Sequence, residues 1–297
     1  MRVVLPACAI VLLLGLAFVL RILISNYRDE RADYIRTPPQ PVSQHPERTG
    51  IAGLHEVRFR DAGATELAGW YAASRNRAAV VLVHGTGADR SGVLVETQFL
   101  AEAGFGVLAI DLPGQGASAG ETQWGPAERR AISGAVQWLS VQPDVDPQCI
   151  GGLGLSMGAY VMTQAAVLDA RLRAVVLGAS PNDVVEQNWV SSARWGLLSQ
   201  LPVYWALRAS AQTYDLLPKD VIGRIAPRSV FIIGGEHDTA VPRYMAEQLF
   251  AAAGEPKELW IVPGAGHVDY LRYAPQEYPR RVTEFFRRRL SAEAGNH

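Results

Sequence analysis

Ile150-Gly151-Gly152-Leu153-Gly154-Leu155-Ser156-Met157-Gly158-Ala159-Tyr160 joins a short apolar run to a helix-forming segment through one serine flanked by glycines. The run Ile150–Leu155 is too short and too apolar for a surface strand, so it predicts a strand buried on both faces. Met157–Leu168 predicts a helix that begins directly after Ser156. A serine set between strand end and helix start occupies strained backbone, exposed at the top of a sheet. Glycines at 154 and 158 remove the Cβ atoms that would clash in so tight a turn. The helix N-terminus supplies free N–H groups and a favourable dipole. A serine hydroxyl is a weak nucleophile unless it is held beside a base, so the stretch sets a search for a histidine and a carboxylate elsewhere.

Working outward, the same kind of run recurs at Ala79–Val83, Gly106–Ile110, Ala174–Leu177, Val230–Ile233 and Leu259–Val262. Helical patterns lie between and after them at Val93–Glu102, Pro126–Leu139, Arg243–Ala253 and Gln276–Arg289. This alternation predicts an α/β fold with an open, doubly wound, mostly parallel sheet. Leu54–Arg60 and Glu66–Ala73, separated by the turn Asp61-Ala62-Gly63-Ala64, predict an antiparallel hairpin at its edge.

Three further stretches follow apolar strands, where α/β sheets place their sites. Val80-Val81-Leu82-Val83-His84-Gly85-Thr86-Gly87 ends a strand in a glycine-rich loop. Acyl transfer builds negative charge on a carbonyl oxygen, and two aimed N–H donors stabilise it. The N–H groups of Met157 and Thr86 are the candidates, while the His84 ring is expected to satisfy backbone groups at its strand end. Gly234-Gly235-Glu236-His237-Asp238-Thr239-Ala240-Val241-Pro242 offers Asp238 as the carboxylate that orients a histidine. Glu236 and Asp183 compete with it, and a helix-capping role for Asp238 or Thr239 is the plain structural alternative. Pro263-Gly264-Ala265-Gly266-His267 offers His267 as the base. Of the six histidines, His297 is terminal, His45 and His55 precede the core sheet, and His237 adjoins the acid. The order Ser, Asp, His along the chain matches this elbow arrangement.

Residues 181–222 break the alternation and predict a helical insertion over the strand ends. Its aromatic residues, Trp189, Trp195 and Trp205 among them, are expected either to pack the insertion or to form an apolar substrate wall. At the N-terminus, Val3–Leu20 is almost unbroken apolar sequence. It predicts an uncleaved single-pass transmembrane helix within residues 1–27, since no small-residue cleavage site follows it. Arg2 flanks one end and Arg21, Arg28, Arg31 and Arg36 the other, which leaves the membrane side open. A linker with Pro38, Pro39, Pro41 and Pro46 spans 28–52, and the folded domain spans 53–293. Of the 297 residues, 48% are hydrophobic and 19% charged, enough apolar material for a sizeable core. The formal net charge of −1 excludes the basic surplus of a nucleic-acid binder. Cys8 and Cys149, one in the apolar run and one by a core strand, predict no disulfide and no cysteine-based metal site. Composition leaves the oligomeric state open.

With these residues in view, the chain resembles the α/β-hydrolase superfamily, and within it the serine aminopeptidase-like, lysophospholipase-like and dienelactone-hydrolase-like branch. The resemblance rests on His84-Gly85, Asp111-Leu112-Pro113-Gly114-Gln115-Gly116-Ala117-Ser118, Gly154–Gly158, Gly235–Asp238 with Val241-Pro242, and Gly264–His267. It spans about Leu54 to Leu290. It implies Ser156 as nucleophile, Asp238 as acid, His267 as base, Met157 and Thr86 as oxyanion hole, and 181–222 as a lid, with no metal or organic cofactor. Leu112-Pro113 departs from the basic residue that many relatives carry there. The expected activity is hydrolysis of an ester, thioester or amide of a small-molecule or lipid-like substrate, most simply as a carboxylesterase or lysophospholipase-like enzyme. An acyltransferase on the same residues and a non-catalytic binding protein of the same fold are the alternatives.

Overall fold

The inner strands form where the sequence is apolar enough to be covered on both sides. The computed structural model describes residues 15–25, 44–193, 196–197, 200–201, 204–205 and 216–290. Its sheet has eight strands: β1 (His55–Arg60), β2 (Glu66–Ala72), β3 (Ala79–Val83), β4 (Gly106–Ile110), β5 (Ile150–Leu155), β6 (Leu172–Gly178), β7 (Ser229–Gly235) and β8 (Lys257–Val262). Their spatial order is β1-β2-β4-β3-β5-β6-β7-β8. β1, β2 and β4 pair antiparallel, and every other neighbouring pair is parallel. Every residue of β3, β4 and β5 is buried, and each Val, Leu or Ile so covered contributes about 1.5–3 kcal/mol.

Five helices flank the sheet: α1 (Leu94–Glu102), α2 (Pro126–Ser140), α3 (Met157–Leu168), α4 (Arg243–Ala252) and α5 (Glu277–Arg289). The chain winds one way from β3 to β4 and the other way from β5 to β6. Right-handed crossovers of opposite sense put α1 on one face and α3 on the other. α5 packs with α1, and α2 packs with α3. β3 and β5 lie side by side at this reversal, with Val83 opposite Gly154. That switch point is where open α/β sheets form their binding crevice.

Between the first-face helices, the Tyr278 hydroxyl donates to Glu96 Oε1 at 2.6 Å. Both residues are buried, and burial pushes the Glu96 carboxyl above its ordinary value of 4.5. The folded state therefore keeps a proton that an unfolded glutamate has already released. This contribution to stability is complete below pH 4.5 and is lost as pH rises through the folded-state value. Glu96→Gln keeps an acceptor for Tyr278 and removes the titration. Thermal unfolding across pH is expected to show the variant gaining on the wild type above pH 4.5, at up to ~1.4 kcal/mol per pH unit. A difference that stays constant with pH would contradict this.

The chain divides into two compact units, Met1–Ile35 with Val184–Ala211, and Arg36–Asp183 with Gln212–His297. The second holds the sheet and all five labelled helices. The short helices Pro218–Val221 and Ile222–Ile225, at the end of the expected insertion, belong to it and pack on α3. The first unit includes the helix Val184–Ser192, in which Trp189 meets Tyr204 edge to face at 5.9 Å. Tyr204 in turn meets Trp205 at 5.5 Å.

The expected single-pass membrane anchor is corrected. Among the described residues no helix is long and apolar enough to cross a membrane. The described helical residues near the N-terminus, 15–25, account for about 16 Å at 1.5 Å per residue, against a bilayer hydrocarbon core of about 30 Å. Residues 1–14, where the apolar run begins, and 26–43, most of the expected linker, lie outside the described residues.

Candidate active site

The strand–serine–helix elbow forms as the glycines require. Ser156 has φ 55° and ψ −119°, outside the regions an L residue ordinarily adopts, and it directly precedes α3. Its N–H donates to the Gly178 carbonyl at 2.8 Å, and its own carbonyl accepts from Ala159 and Tyr160. The helix start also presses against the end of β3. A Cβ on Gly158 would overlap the Val83 carbonyl oxygen and lie 2.6 Å from that of His84. Both obstacles are backbone, so they do not turn aside as a side chain would. Gly158→Ala is expected to cost about 1–3 kcal/mol, read as a lower thermal midpoint. Unchanged stability would contradict so close an approach.

Ser156 Oγ stands 3.0 Å from His267 Nε2, and His267 Nδ1 stands 2.8 Å from Asp238 Oδ2. The other Asp238 oxygen, Oδ1, accepts the N–H groups of Ala240 and Val241, each at 2.8 Å. The Asp238 side chain is fully buried, whereas that of His267 is 31% exposed. A carboxylate fixed in this way takes the Nδ1–H and leaves the Nε2 lone pair facing the serine hydroxyl. The residue after His267 is strained as well. Val268 has φ 52°, unusual for a β-branched side chain. It turns the chain between His267 and the short helix Tyr270–Tyr273.

The competing residues are engaged elsewhere. Glu236 Oε2 accepts the Gly264 N–H at 2.8 Å, and Asp183 pairs with Lys219 at 3.0 Å. The His237 side chain is 71% exposed. His84 is fully buried. Its Nδ1–H donates to the Gly85 carbonyl at 2.8 Å, and its Nε2 accepts the Leu112 N–H at 3.2 Å. That pattern belongs to a neutral ring, and burial lowers its pKa accordingly.

The glycine-rich loop after β3 is braced by the segment after β4. The Gly87 N–H donates to Gln115 Oε1 at 3.1 Å and the Arg90 N–H to Asp111 Oδ1 at 2.7 Å. The Gln115 amide also reaches Met157 Sδ at 3.9 Å. Buried Gln115 thus ties the Thr86 loop to the first residue of α3. Among the described residues, neither the Thr86 N–H nor the Met157 N–H has a protein acceptor. Sequence reasoning singled out Asp111–Ser118 as a motif but missed this bracing. The polar side chains within an otherwise apolar, glycine-rich stretch were its only signal. Trp189 and Trp205 are exposed residues of the other compact unit. Trp195 lies outside the described residues. Among the described residues no group of three or more His, Cys, Asp or Glu side chains is placed to hold a metal ion.

A serine hydroxyl hydrogen-bonded to an imidazole, itself held by a buried carboxylate, has the geometry for nucleophilic attack assisted by a general base. Comparison with known proteins agrees with the architecture. The model of the Alpha/beta hydrolase family matches residues 80–285. Uncharacterized protein Rv2307c of Mycobacterium tuberculosis is 34% identical over 210 residues, covering 68% of each chain. Polyketide transferase ATR5 of Stachybotrys chlorohalonatus is 25% identical over 288 residues, covering 79% of this chain and 97% of its own. Among solved structures, the Pyrococcus furiosus esterase Pf2001 superposes with a TM-score of 0.73 at 22% identity, covering 86% of this chain and 98% of its own.

Proposed function

We propose that this chain, which belongs to the alpha/beta hydrolase family, is a serine hydrolase that cleaves an ester through an acyl-Ser156 intermediate. The observation that carries this reading is the continuous chain of hydrogen bonds from Ser156 Oγ through His267 to buried Asp238. Ser156 Oγ attacks the substrate carbonyl while its proton passes to His267 Nε2. Asp238 keeps the Nδ1–H and stabilises the imidazolium. The oxyanion takes the N–H groups of Met157 and Thr86. On collapse, His267 returns the proton to the leaving oxygen. Water then attacks the acyl-serine with the same histidine as base. The aromatic-rich sequence of 181–222 leads us to expect an uncharged or lipophilic acyl group.

The test is an assay on p-nitrophenyl esters of graded acyl length. Turnover with a maximum at one chain length supports the reading and measures the pocket, whereas no turnover of any ester, thioester or amide counts against it. A second reading is acyl transfer to an alcohol or thiol instead of water. Two relatives favour it, the polyketide transferases ATR5 and grgF, the second from Penicillium and 24% identical over 286 residues. Added acceptor that diverts most of the acyl group from water at millimolar concentration would select it.

A further inference from the structure

Thr86 stands between two glycines, Gly85 and Gly87, and is exposed together with Gly87 just beyond the end of β3. Such a loop has a backbone freedom that a pre-aimed donor does not tolerate. It nonetheless runs against the nucleophile: a Cβ on Gly85 would lie 3.2 Å from Ser156 Cβ and 3.8 Å from its Oγ. The peptide that carries the Thr86 N–H is held through its carbonyl, that of Gly85, which accepts the His84 Nδ1–H at 2.8 Å. In a trans peptide the two groups point in opposite directions, so this bond turns the Thr86 N–H away from the His84 ring. The next peptide is held by a different side chain, because the Gly87 N–H donates to Gln115 Oε1 at 3.1 Å.

Gln115 reaches that loop from a segment closed upon itself. Asp111 Oδ2 accepts the Ala117 N–H at 2.7 Å, and Ser118 Oγ donates to the Asp111 carbonyl at 2.8 Å. The N–H of Gln115 donates to the Leu112 carbonyl at 3.0 Å. Its side-chain amide has one consistent orientation. The Gly87 N–H requires the oxygen. The Thr122 hydroxyl spends its proton on the Pro113 carbonyl at 3.1 Å, so its lone pair is left to take the Gln115 N–H at 3.4 Å. The same NH2 group lies 3.9 Å from Met157 Sδ. One buried side chain therefore touches Gly87, next to Thr86, and Met157, next to Ser156.

Oxyanion donors are effective because they are aimed before the charge arrives. We propose that Gln115 is a positioning residue for acyl transfer. It fixes the Thr86 loop against the Ser156–Met157 corner, so that the Thr86 and Met157 N–H groups converge on the substrate carbonyl oxygen as it becomes negative. The proposal rests on the reading of the chain as a serine ester hydrolase with that oxyanion hole. Gln115 touches no reacting atom, so its loss weakens stabilisation of the oxyanion and leaves the Ser156–His267 pair in place.

The test uses a p-nitrophenyl ester and its thionoester, in which sulfur replaces the carbonyl oxygen. Sulfur is a weak hydrogen-bond acceptor and gains little from aimed N–H groups. The ester-to-thionoester ratio of kcat/KM, divided by the same ratio for hydroxide, therefore reads the oxyanion hole. The wild-type quotient is expected to lie above one. In Gln115→Met, similar in length but without the acceptor, it is expected to fall about tenfold, equivalent to ~1.4 kcal/mol. That is less than the about 100-fold or more lost when a donor is removed outright. Damage to the fold or to the Ser156–His267 pair slows both substrates alike and leaves the quotient as it was. A wild-type quotient above one that survives in Gln115→Met overturns the proposal and leaves the hydrolase reading standing. A wild-type quotient at or below one overturns the oxyanion hole and the proposal together. No turnover of the ester by the wild type overturns the hydrolase reading, and the proposal with it. Should Gln115→Met not fold, an ester linkage in place of the Thr86–Gly87 peptide removes the Gly87 N–H and keeps both the Thr86 N–H and Gln115. Its quotient is expected to fall likewise, and a quotient equal to the wild type's overturns the proposal.

Discussion

Ser156→Ala is expected to lower kcat/KM for the best ester by about 10^6-fold, the size seen when a serine acting together with its histidine is removed. Oγ is the atom 3.0 Å from His267 Nε2, and alanine leaves nothing there to carry the acyl group. The substitution removes one half-buried oxygen and keeps the backbone that holds the turn. Far-ultraviolet circular dichroism and thermal midpoint should therefore stay close to the wild type. Equal activity in wild type and variant would show that Ser156 is not the nucleophile. A folded variant that still binds substrate would separate lost chemistry from lost structure.

Asp238→Asn is the second large effect, about 10^4-fold in kcat, and the structure fixes its cause. Asp238 Oδ1 accepts two backbone N–H groups, from Ala240 and Val241. An asparagine must turn its carbonyl oxygen toward those donors and its amide NH2 toward His267. Facing a donor, Nδ1 gives up its proton, and the proton moves to Nε2. The ring then offers Ser156 an N–H where it needs a lone pair. Kinetics of Asp238→Asn beside Asp238→Ala would check this: the asparagine should be no better than the alanine despite its conserved shape. Near-normal activity in the asparagine variant would mean that the ring orientation does not depend on this carboxylate.

How much of this was legible in the sequence differs from element to element. All eight strands were foreseen, and β3, β4 and β5 with their ends, because strands covered on both faces are bounded sharply by glycine and polar residues. β6 and β8 were read short at their N-terminal ends. There β6 passes through Arg173, at an irregularity in its pairing with β5, and β8 through Lys257 and Glu258, whose polar side chains hide the pairing of their backbone. Ser156, Asp238 and His267 were legible because each follows a strand end, and the parallel register aligns those ends. Gly154 lies beside Leu177, Gly178 beside Ile233, and Gly235 beside Val262.

What was not legible depends on contacts between distant residues. Glu96 lies 182 residues from Tyr278, and each alone reads as an ordinary helical residue. Gln115 braces Gly87 through a single side-chain oxygen. No spacing announces that contact, since it arises only after β3 and β4 are paired. The N-terminal reading was overturned too: among the described residues no helix is long and apolar enough to cross a membrane.

The central claim is that His267 activates Ser156 for acyl transfer. It is tested most directly by exposing the wild-type protein to a fluorophosphonate and weighing the intact chain and its peptides. An activated serine attacks phosphorus and retains the group. The predicted result is one adduct, on the peptide containing Ser156, absent from Ser156→Ala and strongly slowed in His267→Ala. No adduct, or an adduct on another residue that persists in Ser156→Ala, would contradict it.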